Sequence, residues 1–88
     1  MRIKKILIEL KVQEKIFKKH NVLREDIENV FLNNEPIFLK AKDGRYIAIG
    51  FIGEYFTIIF ELNECIANIV TAYKSSKWQK KLYSVRIL

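Results

Sequence analysis

Eighty-eight residues, half of them apolar and 30% charged, bury roughly 60–65% of their chain surface around one thin core. That excludes a Rossmann enzyme, a TIM barrel and any site needing a deep cavity between domains, and residues 1–88 are expected to form one domain. The formal net charge is +6 and the pI near 9.6, unevenly placed: residues 1–20 carry +5, residues 21–73 carry −4, and residues 74–88 carry +5 with no acid.

Such a distribution suits a protein that meets a polyanion with its two ends, provided the fold brings them together. Lysines solvated for solubility are the plainer reading. The single cysteine, Cys65, excludes a disulfide framework and a cysteine-based zinc finger and points to a reducing cytoplasm. No uncharged apolar run approaches the roughly 20 residues of a membrane span. Met1-Arg2-Ile3-Lys4-Lys5 opens like a signal peptide, but Glu9 and Lys11 interrupt the apolar run that should follow. A cytoplasmic protein without membrane contact is expected. Ile, Lys and Asn, encoded by AT-rich codons, hint at a prokaryotic genome.

Ile3–Ile8 is β-branched and apolar enough for a strand. From Val12 the period changes to helical, through Ile16, Phe17 and His20, with Lys15, Lys18 and Lys19 on the other side. Asn21 sits where a left-handed residue ends a helix. A second helix follows with the stripe Leu23, Ile27, Val30 and Phe31, and acids in or near its first turn suit the dipole. Asn33-Asn34 and Pro36 stop it. Four strands are then expected over Ile37–Lys42, Arg45–Phe51, Tyr55–Leu62 and Cys65–Tyr73, with turns at Asp43-Gly44, near Gly53 and at Asn63-Glu64. The middle strands are apolar on both pleat faces, so the helices cover one and a partner or the last helix the other.

Ser76-Lys77-Trp78-Gln79 has capping-box spacing and opens a short basic helix, its apolar side read as Trp78, Leu82 and Val85, with Lys77 and Lys81 opposite. The order β-α-α-β-β-β-β-α predicts an α+β fold: a mostly antiparallel sheet with helices on one face and a C-terminal basic helix.

No metalloprotease, phosphate-loop, nucleophile-elbow or paired-carboxylate motif occurs. One His, one Cys and scattered carboxylates do not converge at ligand spacing, so neither metal nor cofactor is expected. Chemistry concentrates in Thr71–Tyr83, where basic, hydroxyl and aromatic side chains meet at a strand-to-helix junction. Lysines there can hold a phosphate and offset transition-state charge. Tyrosine can stack on a base or bond the reacting oxygens, and the helix start near Ser76 offers N–H groups to an anion. A capped helix with a solvated lysine face is the structural alternative. His20 reads either as a general base or as a histidine held at a helix C-terminus. Arg45 reads as a phosphate clamp or a turn charge, and Cys65 as a buried strand residue.

Lys19-His20-Asn21-Val22, the acidic helix through Asn29-Val30-Phe31, Gly44-Arg45-Tyr46-Ile47-Ala48-Ile49-Gly50, Ile69-Val70-Thr71-Ala72 and the basic helix ending in Leu82-Tyr83 occur in this order. Over roughly residues 6–84 this pattern resembles the BrnT-type toxins of bacterial and archaeal type II toxin–antitoxin pairs. The resemblance implies a RelE-like fold, metal-free cleavage of mRNA, and an antitoxin encoded nearby that binds the toxin and operator DNA. A toxin–antitoxin hetero-oligomer or a homodimer is the expected assembly.

His20 matches the family's histidine, Arg45 and Tyr46 its GRY, and Lys74 and Lys77 its basic residues after the strand end. Three positions depart from the pattern: Tyr73 replaces an Arg, Gln79 a Glu, and Leu23 the Ser or Thr capping the second helix. Arg to Tyr removes a planar phosphate fork. The resulting expectation is attack of a ribose 2′-hydroxyl on the adjacent phosphorus. Lys74, Lys77 and Arg45 grip phosphate, Lys80 and Lys81 add contacts, Tyr73 orients the nucleotide, and His20 or a lysine acts as base. The alternatives are a non-catalytic member binding RNA or a protein through the same surface, and an interaction domain dimerising through its sheet.

Overall fold

The computed structural model describes residues 1–32 and 35–87. The chain runs β1 (Lys5–Leu7), α1 (Leu10–His20), α2 (Arg24–Leu32), β2 (Ile37–Lys40), β3 (Arg45–Phe51), β4 (Tyr55–Asn63), β5 (Ile66–Lys74) and α3 (Lys77–Ile87). The five strands form one sheet in the order β1-β5-β4-β3-β2. β1 joins parallel to β5 and the other pairs are antiparallel, so the sheet is mostly antiparallel, as expected.

Local chemistry accounts for the punctuation. Asn21 takes φ 54° and ψ 38° and returns its N–H to the Phe17 carbonyl, ending α1. Asp43 and Gly44 both take positive φ, 59° and 72°, the succession that tight hairpins demand. The helix stop at Asn33-Asn34 lies outside the described residues. Leu23 is not part of the buried stripe: it stands at the N-cap of α2, exposed, and its N–H donates to Asp26 Oδ2 at 2.9 Å. The acid three residues on thus supplies half of a capping box without a hydroxyl residue.

Cys65 is also displaced from its expected place. It is not a buried strand residue but half-buried in the β4–β5 turn, with φ 71° after Glu64 at 49°. The turn falls one residue later than Asn63-Glu64, and the Cys65 carbonyl accepts the Lys4 N–H at 2.8 Å.

Consecutive residues Ala48 and Ile49, and Thr57 and Ile58, are completely buried, so both sheet faces are covered there. Ala48, Ile58 and Phe60 join Ile16, Val22, Ile27 and Val30 in the main core under α1 and α2. Phe60 anchors it, edge-on to Phe31 and Phe38 and stacked with Tyr46. Ile49 and Thr57 lie on the second face, beneath α3, which settles what covers that end of it.

β5 carries a bulge. Ile59 pairs with Thr71 but Phe60 pairs with Ile69, leaving Val70 as the extra residue. Its buried residues accordingly run Ala67, Ile69, Ala72, spaced two and then three apart. An unbroken pleat would put Tyr73 on the face of Ala67 and Ile69. The bulge sends it to the opposite face, where α3 lies.

α3 is rolled relative to its expected apolar stripe. Trp78 and Val85 face outward, and the packed side is Gln79 and Tyr83. Hydrogen bonds to Gln79 and an edge-on contact of Tyr83 with Tyr55, 5.8 Å between centroids, hold this orientation.

Candidate nucleic-acid interface

The last turn of α1 meets the end of β5, whereas Lys4 and Lys5 lie beside the start of that strand. Lys18, Lys19 and His20 form the last turn of α1, where cations suit the exposed carbonyls. The His20 imidazole lies 5.9 Å from the Tyr73 ring near the end of β5. Lys74 follows on β5 and Lys77 opens α3. Beside His20 a cleft of about 220 Å³ opens between α1 and β5, lined by Lys15, Lys19, His20, Val70 and Thr71 among others.

Tyr73 is held from behind by Gln79. The Gln79 side chain is 2% exposed, and its Nε2 donates to Tyr73 Oη at 3.0 Å. Its Oε1 accepts the Ser76 N–H at 2.9 Å and the Thr57 hydroxyl at 3.0 Å. An N–H can only donate, so Ser76 fixes which end of the amide is the oxygen. Thr57 uses its one proton on Gln79, so Ser75 donates in the 2.6 Å bond between their hydroxyls. Every donor in the chain Ser75→Thr57→Gln79→Tyr73 therefore points toward the phenol, leaving the Tyr73 proton free to be given outward. Two departures from the BrnT pattern, Tyr73 and Gln79, touch each other: a neutral tyrosine–amide pair stands where arginine and glutamate are usual.

The other candidates separate into near and far. Lys74, on the opposite strand side from Tyr73, pairs with Glu54 at 3.6 Å, both half-exposed. Lys80 lies over the Tyr55 ring, 5.8 Å from its centroid. Lys77 and Lys81 are exposed on the outer side of α3.

Arg45 is not brought to this group. Lys74 aligns through Phe56 with Gly50, and Arg45 lies five residues from Gly50, about 17 Å along the strand. It sits instead in a row with Glu61 and Asn68, beside a groove of about 490 Å³ that also reaches Leu7 and Val12. One phosphate cannot touch both Arg45 and Lys74.

Sequence reasoning missed Lys15, Lys19, Thr57 and Ser75. The first two were legible as an i,i+4 pair leading to His20, while Thr57 and Ser75 carry no local signal. Among the described residues no three His, Cys, Asp or Glu side chains are grouped to hold a metal, and no helix is long and apolar enough to cross a membrane.

No family model matches the sequence, and no curated protein matches it. A solved structure does: the ribonuclease toxin BrnT of Brucella abortus superposes with a TM-score of 0.68 over 83% of this chain and 97% of that one, at 18% identity. The five-stranded sheet with its three helices is thus the fold of a BrnT-type toxin.

Proposed function

We propose that residues 1–88 form a single RelE/BrnT-like domain acting in a prokaryotic cytoplasm as the toxin of a type II toxin–antitoxin pair. Its activity is metal-independent cleavage of mRNA, and a neighbouring antitoxin, which also carries the pair to operator DNA, inhibits it. The observation that carries this reading is the contact of His20 with Tyr73, residues more than fifty positions apart that set the basic last turn of α1 beside the strand end leading into the basic segment from Lys74. The BrnT fold supports it.

In the reaction the 2′-hydroxyl loses its proton to His20 and its oxygen attacks the adjacent phosphorus. The bond to the 5′-oxygen breaks, leaving a 2′,3′-cyclic phosphate, and the departing oxygen takes up a proton. Lys15 and Lys19 beside the cleft, with Lys77 at the start of α3, offset charge on the phosphoryl oxygens. Lys74 joins them when RNA displaces Glu54. Tyr73, its oxygen already bonded by Gln79, donates its proton to a phosphoryl or leaving oxygen. Lys80, Lys81 and the distant Arg45 contact flanking phosphates.

Cleavage of a defined, end-labelled RNA in EDTA tests this, with Lys74→Ala/Lys77→Ala and Tyr73→Phe proteins prepared identically. Cutting by the native protein that falls in the variants is expected; equal cutting by all would refute the site.

A non-catalytic member that binds RNA or its partner is favoured by one specific feature, the engagement of Lys74 by Glu54. That reading predicts RNA retained intact by the native protein, in translation assays as well.

A further inference from the structure

α3 turns its tryptophan away from the core. Trp78 is 58% exposed, and its indole has neither hydrogen bond nor ring contact among the described residues. Lys77 precedes it, Lys81 follows one turn on, and no acid occurs from residue 74 onward. At 100° per residue, positions 77, 78, 81 and 85 share an arc of about 100° pointing away from buried Gln79 and Tyr83. The next residue after Trp78 is Gln79, whose amide holds the Tyr73 phenol. An exposed indole sharing its helix face with Lys77 and Lys81 has the composition of a single-strand stacking site: aromatic face for a base, ammonium groups for its phosphates.

We propose that Trp78 is a stacking platform for an unpaired RNA base, forming a subsite for a nucleotide that flanks the reacting one. The inference rests on the RNA-binding reading above. A protein partner is the less favoured occupant because the outward apolar surface is interrupted. Leu82, between Trp78 and Val85, is partly turned inward, so the two exposed side chains stand about 10 Å apart along the axis. Every base offers a π face, so the subsite tolerates any sequence.

The chain has one tryptophan, so its emission reports this position without a label. The probe is an end-labelled 2′-O-methyl oligoadenylate, which lacks the attacking hydroxyl, alongside an abasic strand of equal phosphate count. Anisotropy measures binding, and tryptophan emission measures stacking, in the same sample. Quenching with the same midpoint as the anisotropy change is expected for oligoadenylate, and weaker binding without quenching for the abasic strand. Trp78→Ala should weaken oligoadenylate binding about 5- to 150-fold and leave abasic binding unchanged, while Trp78→Tyr retains most of the affinity. Exposure of Trp78 makes both variants fold-neutral, which circular dichroism checks.

Oligoadenylate binding with unaltered emission, and equal affinity for Trp78→Ala, overturns the stacking inference and leaves the RNA-binding reading standing. Failure of both probes to bind refutes the RNA-binding reading and the platform with it. An emission change with protein concentration alone assigns the indole to contact between copies and also overturns the proposal.

Discussion

Gln79 shows how one side chain can serve both fold and site. Its oxygen takes the Ser76 N–H that opens α3 and the Thr57 hydroxyl from β4, while its nitrogen holds the phenol on β5. Gln79→Leu removes the partner of the part-buried Ser76 N–H, the donor to the Tyr73 phenol and the acceptor of Thr57, which keeps only its bond to Ser75; at about 1 kcal/mol for each bond lost, urea unfolding should show a loss of about 2–4 kcal/mol. Tyr73→Phe removes only the last bond of the chain. Because it leaves the Nε2 of buried Gln79 without an acceptor, stability should fall by about 1–3 kcal/mol, whereas RNA cleavage should fall by about 10²-fold or more if the phenol gives its proton to the reacting oxygens. Comparing unfolding and cleavage for the same protein separates the two roles; a parallel decline in both would reduce Tyr73 to a packing residue.

At the scale of elements, close packing leaves no slack where α2 crosses β3. A Cβ on Gly50 would meet Val30 Cγ1 at 2.9 Å, and Val30 is completely buried. Gly50→Ala should therefore destabilise by about 1–3 kcal/mol. In a double-mutant cycle with Val30→Ala the pair should cost less than the sum of the singles, because the smaller side chain vacates the contested space. Additive costs would mean that strand and helix separate instead. The β5 bulge acts at the same scale. One extra residue at Val70 preserves burial of Ala67 and Ile69 before it and Ala72 after it, while moving Tyr73 to the α3 face.

For the whole molecule, the middle of the sequence supplies an acidic excess and the two ends supply the cations, and folding sets the basic last turn of α1 beside the end of β5 at His20 and Tyr73. The four central phosphate contacts, from Lys15, Lys19, Lys74 and Lys77, alone contribute about −3 to the single-strand salt slope in log K against log salt, and flanking contacts on longer strands steepen it. Lys19→Ala should flatten the slope by about 0.7, measurable by titration at several salt concentrations. A slope near zero would exclude phosphate grip at this surface. Arg45 stands too far away to share the central phosphate. Arg45→Ala should leave dinucleotide binding unchanged and weaken only strands long enough to run down the sheet.

Much of the architecture is legible in the residues themselves. The order of eight elements, the hairpin at Asp43-Gly44 and the stop at Asn21 follow from hydrophobic period and from backbone angles that few residues tolerate, which are local properties. The resemblance to BrnT-type toxins likewise rests on the order of short segments, and the fold agrees with it. The details of the site are not local. Cys65 reads as strand because it is apolar, yet chain reversal places it in the turn. Trp78 reads as core because it is the largest apolar side chain of its helix, yet hydrogen bonds from Thr57 and Ser76 to Gln79 and the packing of Tyr83 on Tyr55 turn it outward. Tyr73 faces α3 through a bulge that keeps Ala67, Ile69 and Ala72 in one core. Periodicity assigns residues to elements; the roll of a helix and the pleat phase beyond a bulge are set by partners far away in the chain, whose pairing exists only once the sheet has closed.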